Sequence, residues 1–389
     1  MKEISVVIPT YNFVDVAKKV LIATLAQSFK PKEIIIIDSS TSDQVEDMVK
    51  ELKLTADVPI IFKKVKDFFP GEARNKGAQL SNCTWLAFLD SKTIPKNDWL
   101  ETNIKLIEKK DLDVIFGSTR YLAETEFQKC LRACTFGKKD VETTPGSLIS
   151  KKNFETIGGF QEKVRTGDDI AWRDKIKLSN LNYLYPDKTT LTYSELPKKL
   201  IESLKRFFIY QLYGARVDIQ NTNKNIFLGL FLILVTLIVP KWNYIVGFGS
   251  SLFIPNITTI YVTSLLAIPV ILLIFDKESI RAVNTFLSFS FKIALFIIFF
   301  YGAVRWNYVI ADFVEDSILF IPHITKIYLT TVLFISFIYR GLYFPLANNF
   351  RLTELLPLWW IKVGILGLML DLAKAPGYLL GAILKLIKR

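Results

Sequence analysis

The sequence predicts an α/β domain with a parallel sheet, followed by an α-helical transmembrane domain. Its first 225 residues contain 66 Asp, Glu, Lys and Arg residues, whereas its last 164 contain only 20. In the first part, short β-branched runs alternate with helical patterns, which is typical of βαβ units. In the second part, apolar runs approach the ~20 residues that cross a bilayer. With 51% hydrophobic residues and three cysteines, the chain is neither disordered nor a disulfide scaffold.

The first domain opens with one βαβ unit and continues with further strands. ISVVIP at 4–9 is closed by a proline, residues 14–28 have helical spacing, and EIIIID at 33–38 ends in an acid. The remaining elements are predicted as strands at 59–64, 85–89 and 113–117 and as helices near 43–53, 71–81 and 97–109. Polar or acidic residues follow the first, second and fourth strands. Because ligands of open α/β sheets bind at the carboxyl edge, we expect a site there.

Two segments of this edge suit a nucleotide. Asp38 can accept a hydrogen bond from a base or a ribose, although the adjacent Ser42 or Asp43 is equally explained as a helix cap. PGEARNKGA at 70–78 predicts a helix start that brings Arg74 and Lys76 to a pyrophosphate. An exposed basic helix is the alternative for this second segment.

Several kinds of chemistry are excluded by residue counts. His323 is the only histidine and lies in the apolar half, so Ser-His or Cys-His catalysis and histidine metal sites are excluded within this chain. Cys83, Cys130 and Cys134 are interpreted as packing residues. The net charge of +12 suits anionic lipids and phosphates. No nucleic-acid motif accompanies that charge, so we expect no nucleic-acid partner.

Six motifs, in order, resemble those of glycosyltransferase family 2. They are VVIPTYN, IIIIDSSTSD, GEARNKGA, FLDSKTIPKNDWLE, PGSLISKKNFETIGGFQE and TGDDIAWRDKI, within residues 3–195. The resemblance implies a GT-A fold, which is a Rossmann-like nucleotide-diphospho-sugar transferase domain. It also implies transfer of a sugar from a nucleotide-sugar donor with inversion at the anomeric carbon. Such a transfer needs a base for the acceptor hydroxyl and positive charge on the leaving diphosphate.

The resemblance further implies roles for individual residues. It makes Asp169 the catalytic base and Asp168 its acidic partner; a helix N-cap with dipole compensation is the alternative for this pair. The implied donor and nucleotide residues are Pro9, Thr10, Tyr11, Asn12, Asp38, Ser40, Arg74, Lys76, Asp90, Ser91 and Lys92. The implied acceptor-side residues are Gly146, Ser147, Arg165, Trp172 and Arg173, with loops at 144–147 and 158–160 near the sugar. Trp99 and Trp172 could stack on a sugar ring or belong to the core.

The metal motif of the family is altered in this chain. The usual Asp-x-Asp motif holds Mg²⁺ or Mn²⁺ on the donor phosphates. Here the matching segment reads Asp90-Ser91-Lys92, and residues 191–195 (LTYSE) lack the usual histidine ligand. Two interpretations stay open. Lys92 replaces part of the metal's charge, so that metal dependence is weak or absent, or Asp90 alone holds the ion with waters.

The second half predicts a membrane anchor. Residues 197–225 predict an interfacial amphipathic connector after a catalytic domain at 1–196. About four transmembrane helices are predicted within 226–353, at 226–240, 257–275, 284–302 and 322–339. Residues 354–389 contain apolar runs broken at 371–374 and 376–377 and predict a re-entrant or interfacial segment, with a fifth span as the alternative. Loop charges place the catalytic domain in the cytoplasm by the positive-inside rule.

The sequence therefore predicts an inverting glycosyltransferase of the plasma membrane. We expect it to transfer a single sugar from a nucleotide sugar, with UDP favoured by the resemblance, to a lipid-linked or cell-envelope glycan acceptor. A polyprenyl-phosphate sugar synthase and a non-catalytic assembly subunit with a GT-A fold are the alternatives. A processive synthase is disfavoured because no Gln-x-x-Arg-Trp motif follows the acidic pair between residues 170 and 230.

Overall fold

The computed structural model describes residues 2–216, 242–247, 249–253, 333–334 and 336–387. The chain divides into two compact units. The first comprises Met1–Arg206 and Gly341–Gly367, and the second comprises Phe207–Arg340 and Leu368–Arg389. The first unit contains the α/β domain that the sequence predicts.

The first unit is built on one mixed sheet. Its strands are β1 (Ile4–Thr10), β2 (Glu33–Asp38), β3 (Ile60–Lys64), β4 (Trp85–Phe88), β5 (Thr93–Pro95), β6 (Val114–Tyr121), β7 (Val141–Ser150), β8 (Tyr183–Leu184) and β9 (Leu191–Tyr193). They lie in the order β3-β2-β1-β4-β7-β6-β9-β5, with β8 beside β6. The five predicted strands correspond to β1, β2, β3, β4 and β6, and each is confirmed.

The helices of the α/β domain lie between these strands. They are α1 (Val14–Leu25), α2 (Gln44–Lys53), α3 (Pro70–Leu80), α4 (Trp99–Lys110), α5 (Glu126–Thr135), α6 (Lys151–Thr156) and α7 (Asp168–Leu178). Helix α8 (Leu200–Arg216) follows them and continues into the second unit. The predicted helices near 14–28, 43–53, 71–81 and 97–109 are confirmed as α1 to α4. Helix α8 falls inside the predicted connector at 197–225. Later described elements are helices Trp242–Val246, Phe344–Ala347, Leu352–Leu355 and Trp359–Ile387 and a π-helical turn Tyr339–Tyr343.

Strand direction places several carboxyl ends at one edge of the sheet. Strands β1, β2, β3 and β4 run parallel to one another. Strand β7 runs antiparallel to both of its neighbours, β4 and β6, so β6 points the same way as β4. The carboxyl ends of β1, β2, β4 and β6 therefore share one edge, which is the edge where the sequence predicts the site.

Helices cover both faces of the sheet. Buried side chains of α1, α2 and α4 form one apolar cluster against one face, and buried side chains of α3, α6 and α7 form a second cluster against the other. Neighbouring residues of β1 alternate between these clusters: Val6 and Ile8 belong to the first and Val7 to the second. This alternation is the period of a strand that is buried on both faces.

Two local predictions are wrong. Residues 144–147 are not a loop, because they lie inside β7, which pairs with β4 and β6. Residues 371–377 do not break the C-terminal segment, because Trp359–Ile387 is one continuous helix with Pro376 inside it. Its charges are compensated within the second unit, where the Asp371 carboxylate accepts from Arg340 at 2.7 Å and from Lys374 at 3.0 Å.

The C-terminal helix is a candidate membrane span. Within the described residues, Trp359–Lys385 is the only helix long and apolar enough to cross a bilayer, judged by length and composition alone. The predicted spans at 226–240, 257–275 and 284–302, most of the span at 322–339, and His323 lie outside the described residues.

Trp172 belongs to the core, so the prediction that it acts on the acceptor side is wrong. Its side chain is fully buried. The ring packs at 4.9 Å from Phe160 and at 5.9 to 6.3 Å from Phe88, Phe116 and Phe154, measured between centroids. Trp99 is also fully buried and donates its indole N–H to the carbonyl of Gly146 at 2.9 Å. Neither ring is available to a sugar.

Replacing Trp172 by alanine should destabilise the fold. The loss of a fully buried tryptophan predicts a decrease of about 3–5 kcal/mol in the free energy of unfolding. Leu178→Ala is the matched control, because Leu178 lies on the same helix and is 69% exposed. The thermal midpoint of the purified chain measures both. A midpoint that Trp172→Ala leaves unchanged, together with weaker acceptor binding, would contradict this assignment.

Candidate active site

A buried carboxylate lies where β2 ends, beside the end of β1. Asp38 is fully buried, and its Oδ1 accepts hydrogen bonds from Thr10 Oγ1 at 2.9 Å, Ser40 N at 3.2 Å and Ser40 Oγ at 2.5 Å. Its Oδ2 is buried and has no hydrogen-bond partner within the described residues. A buried acceptor without a partner is costly. The Asp38 carboxylate is therefore free to accept a hydrogen bond from a ligand.

Asn12 joins the loops after β1 and β2. Its backbone adopts a positive φ of 55°, its N–H donates to Ser40 Oγ at 2.8 Å, and its side-chain oxygen accepts from Thr41 N at 3.0 Å. Asparagine tolerates this conformation better than most residues. Pro9 pairs with Ile37 inside the sheet, and Tyr11 is 48% exposed. The two loops thus form one fixed rim around Asp38.

A second cluster centres on Arg74 of α3. Arg74 is 3% exposed, and its two terminal nitrogens donate to the carboxylates of Asp168 and Asp90. Asp168 begins α7, and Asp90 follows β4. Gly71 permits this approach, because a Cβ there would lie 2.4 Å from the carbonyl oxygen of Gln161 and 3.3 Å from Asp168 Oδ2. One guanidinium therefore joins three separate parts of the domain.

The charges of this cluster influence one another. Burial alone would lower the pKa of Arg74, but the carboxylates of Asp90, Asp168 and Asp169 outweigh it and raise that pKa. Burial, with the negative charges of Asp169 and Asp90, raises the pKa of the Asp168 carboxyl to about 7, although Arg74 acts in the opposite direction. Three acids around one guanidinium leave an excess of negative charge.

Asp169 differs from Asp168 in its exposure. Asp168 is buried, whereas Asp169 is only partly buried. Its backbone carbonyl accepts from Thr144 Oγ1 of β7 at 2.9 Å, which fixes the first turn of α7. Both acids follow Gly167, whose φ of 94° ends the preceding loop. The positive end of the α7 dipole favours carboxylates in this position.

Lys92 lies on the turn after β4, against the ring of Phe13. Its Nζ is 3.3 Å from the ring centroid. Burial and the positive charge of Arg206 lower the pKa of Lys92 to about 8, although Glu195 and Asp90 favour its charged form. Lys92 is thus a cation held in a confined position.

The residues present do not reproduce the family's two-carboxylate metal site. Asp90 is already paired with Arg74, and the position of the second carboxylate is the cation Lys92. Within the described part of the chain, no group of three or more Asp, Glu, His or Cys side chains is arranged to hold a metal ion. We therefore derive no step of the reaction through a metal.

Several predicted residues do not join these clusters. Lys76 contacts Gln79 at 3.5 Å on the exposed side of α3, because residues two apart on a helix face different directions. Gly146 and Ser147 are buried inside β7, so their predicted place near the sugar is wrong. Arg165 is exposed in the loop before α7.

Two further predicted residues have other surroundings. Arg173 donates to the carbonyl of Glu142 at 2.7 Å. Ser91 lies in the turn between Asp90 and Lys92. The three predicted packing cysteines are all buried, and none of them forms a disulfide. The sequence did not indicate Phe13, whose ring lies against Lys92 and which directly follows the motif VVIPTYN.

Part of the chain is similar in sequence to known glycosyltransferases. Residues 5–157 match the sequence model described as Glycosyl transferase family 2. The chain is 25% identical over 181 residues to glycosyltransferase AglE of Haloferax volcanii, a match that covers 43% of this chain and 59% of AglE. It is 26% identical over 182 residues to the putative teichuronic acid biosynthesis glycosyltransferase TuaG of Bacillus subtilis, covering 45% of this chain and 72% of TuaG.

A solved structure resembles the chain more distantly. Residues 1–349 of Staphylococcus aureus TarS, crystallised with UDP-GlcNAc, have a TM-score of 0.42 and 15% identity, covering 78% of this chain and 90% of that one. The match spans less than two thirds of the length of AglE. For two glycosyltransferases of Rickettsia, the match spans only 27% and 29% of their length. The family match falls on the strands and helices that carry Asp38, Arg74 and Asp90, so this part of the chain is similar to a glycosyltransferase family 2 domain.

Proposed function

We propose that the protein is a membrane-bound inverting glycosyltransferase that transfers one sugar from a nucleotide sugar to a lipid-linked or cell-envelope glycan. The observation that carries this proposal is the arrangement at the sheet edge. The Asp38 carboxylate, buried with an unpartnered oxygen, ends β2, and the partly buried Asp169 lies in the first turn of α7. The first suits a nucleoside, and the second suits an acceptor hydroxyl.

The donor would bind with its nucleoside at Asp38 and its diphosphate near Lys92. The family resemblance favours uracil as the base. Arg74 is a poor phosphate partner, because both of its terminal nitrogens already donate to carboxylates and its side chain is buried. Lys92 has no such carboxylate partner within the described residues and carries its charge on the turn beside Asp90. We therefore assign to Lys92 the positive charge on the leaving diphosphate.

Asp169 would act as the base. The acceptor oxygen forms the new bond to the anomeric carbon and gives its proton to the Asp169 carboxylate. The bond from that carbon to the diphosphate oxygen breaks, and its electron pair leaves with the nucleoside diphosphate. Asp168 is less suitable, because its carboxylate is buried and held by Arg74. Its role is to position the start of α7.

Membrane attachment and the acceptor class rest on other observations. The apolar C-terminal helix and the predicted spans support a catalytic domain at 1–196, a connector at 197–225, spans within 226–353 and an anchoring segment at 354–389, with the catalytic domain in the cytoplasm. The similarity to TuaG supports a cell-envelope polymer as the product's destination. The absence of a Gln-x-x-Arg-Trp motif supports addition of a single sugar.

Asp169→Asn should abolish turnover and preserve donor binding. Asparagine cannot accept the proton, so kcat should fall about 10²–10⁴-fold, while the rise in thermal midpoint with the donor stays as in the parent. Transfer of labelled sugar from a panel of UDP-sugars to a membrane lipid extract measures the activity. Asp187→Asn, at an exposed position, is the control that should retain activity. Normal turnover by Asp169→Asn would disprove its role as base.

Donor affinity should fall as pH rises through about 8, because the pKa of Lys92 is lowered to about 8 and the ammonium loses its charge above it. Lys92→Arg should move this fall beyond the alkaline range, since arginine stays protonated. Lys92→Met should make donor affinity independent of pH in this range and should weaken donor binding at pH 7. Titration with UDP and UDP-sugars in EDTA measures all three proteins. Binding that vanishes in EDTA would instead support an ordinary metal site on Asp90.

Arg74→Gln should destabilise the folded chain strongly. It leaves two carboxylates without their counter-charge, one of them buried, and breaking such a pair costs about 3–5 kcal/mol. Arg74→Gln combined with Asp168→Asn should recover part of this loss, because the uncompensated buried charge is gone. Thermal midpoints of the parent, both single variants and the double variant form the test. A double variant no more stable than Arg74→Gln would show that the pairing is not the cause.

A further inference from the structure

A basic pocket lies in the first unit, away from Asp38. It has a volume of about 580 Å³ and is lined by Arg120, Arg132, Lys138, Asn349, Arg351 and Glu354. Arg120 comes from the end of β6, Arg132 from α5, and the last three from the segment that precedes the C-terminal helix. Four of the six lining residues are cations and one is an acid, so the pocket attracts anions.

Two of its guanidinium groups are near the charge of Glu354 but form no direct ion pair within the described residues. Arg120 donates to Asp140 at 2.8 Å, and Lys138 pairs with Glu354. Arg132 and Arg351 form no ion pair within the described residues, and Arg132 Nε is buried without a hydrogen-bond partner. Cations this close together with too few acids repel one another unless an anion binds. A phosphate accepts two parallel hydrogen bonds from one guanidinium and meets this need.

The walls of the pocket are held in place. Phe350 is 6% exposed, and its ring centroid lies 4.7 Å from Lys138 Nζ and 5.8 Å from the Arg132 guanidinium carbon. The backbone N–H of Lys138 donates to the carbonyl of Asn348 at 2.8 Å. Gly137, with a φ of 75°, permits this contact because a Cβ there would lie 2.2 Å from the Asn348 Cβ. These contacts keep the cations together without a ligand.

The pocket lies at the same sheet edge as the candidate active site. Ala87 of β4 and Ile115 of β6 both pair with Leu148 of β7, so these two strands are level with each other. Asp90 follows β4, and Arg120 lies near the carboxyl end of β6, two strand positions further from Asp38. The pocket is thus on the side of the reacting groups that is opposite to the nucleoside.

The pocket also lies close in sequence to a candidate membrane span. Arg351 precedes the C-terminal helix, which begins with Trp359 and Trp360 and is apolar enough to cross a bilayer. The first unit also exposes leucines around the pocket residues of this segment: Leu346 by 40%, Leu352 by 51%, Leu356 by 49% and Leu358 by 64%. Exposed leucines, interfacial tryptophans and cations together are typical of a surface that lies against lipid headgroups.

We infer that this basic pocket binds the phosphate or diphosphate of a membrane lipid, with the lipid-linked acceptor as its ligand. This inference rests on the proposed function, since it names the part of the acceptor that the enzyme holds. Arg132 and Arg351 bind the phosphate oxygens, and the sugar or hydroxyl attached to that phosphate extends toward Asp169. The lipid chain remains in the membrane beside the exposed leucines.

Binding of a soluble short-chain polyisoprenyl diphosphate to the full chain in nonionic detergent tests the inference. We expect it to bind more tightly than inorganic diphosphate and than the isoprenol without phosphate. Arg351→Gln should weaken this binding about tenfold, because one charge-assisted bidentate contact is lost. Lys139→Gln is the matched control, because Lys139 is exposed and does not line the pocket. Arg132→Lys keeps the positive charge but removes the two parallel N–H donors of the guanidinium, so it should weaken binding as well.

Titration with UDP separates this inference from the proposed function. Arg351→Gln should bind UDP as the parent does and keep the parent's thermal midpoint without ligand. Equal binding of the polyisoprenyl diphosphate by Arg351→Gln and the parent would overturn the inference, as would equal binding of inorganic diphosphate and the lipid. Loss of UDP binding in Arg351→Gln would assign the pocket to the donor and overturn it too. If the parent binds the lipid diphosphate but binds no nucleotide, the proposed nucleotide-sugar donor would be disproved instead.

Phosphatidylglycerol in mixed micelles identifies the source of the phosphate. If only the polyisoprenyl diphosphate binds in an Arg351-dependent manner, the acceptor is the ligand, as inferred. If phosphatidylglycerol binds equally well and phosphatidylcholine does not, the pocket is a general anionic headgroup site and the acceptor assignment is overturned. Binding of the polyisoprenyl diphosphate should also weaken as the salt concentration rises, since the contact is electrostatic.

Discussion

The ion pairs of Arg74 are the constraint on which the rest of the site depends. Asp168 lies 94 positions away in the chain and Asp90 lies 16 away, yet both accept from one buried guanidinium. Buried charges are costly unless every partner is in place. The bridge therefore fixes the start of α7 against the N-terminal turns of α3 and the end of β4. It is possible only because Gly71 has no side chain.

The same bridge separates the tasks of neighbouring residues. Both terminal nitrogens of Arg74 donate to carboxylates, which is why our proposal assigns the charge on the leaving diphosphate to Lys92, the cation beside Asp90. Asp168 is buried in the bridge, whereas Asp169 is more exposed, and we therefore propose Asp169 as the residue that meets a substrate. Adjacent residues of one helix turn thus face different surroundings, because the bridge holds only the first of them.

The sequence predicted the strands and helices around this site because their signals are local. The runs at 4–9 and 33–38 are buried on both faces and read as strands without ambiguity. Residues 144–147 misled, since Pro145 and Gly146 suggest a loop, whereas they form an irregular stretch of β7 between the residues that pair with β6. Trp172 could not be placed because a buried ring and a sugar-stacking ring look alike in sequence. Helix spacing alone would have placed Lys76 on a different side of α3 from Arg74, because residues two apart do not share a helix face.

The distance between the basic pocket and the acids limits the acceptors that fit both. Strands β4 and β6 are two spacings apart, about 10 Å at about 4.8 Å per spacing. If the acceptor phosphate lies at the basic pocket and the acceptor hydroxyl lies at Asp169, as we propose, the acceptor has to extend across these strands. A short lipid-linked acceptor can do so directly, whereas a long polymer would have to loop out. The two proposals together therefore favour addition of one sugar to a short lipid-linked acceptor.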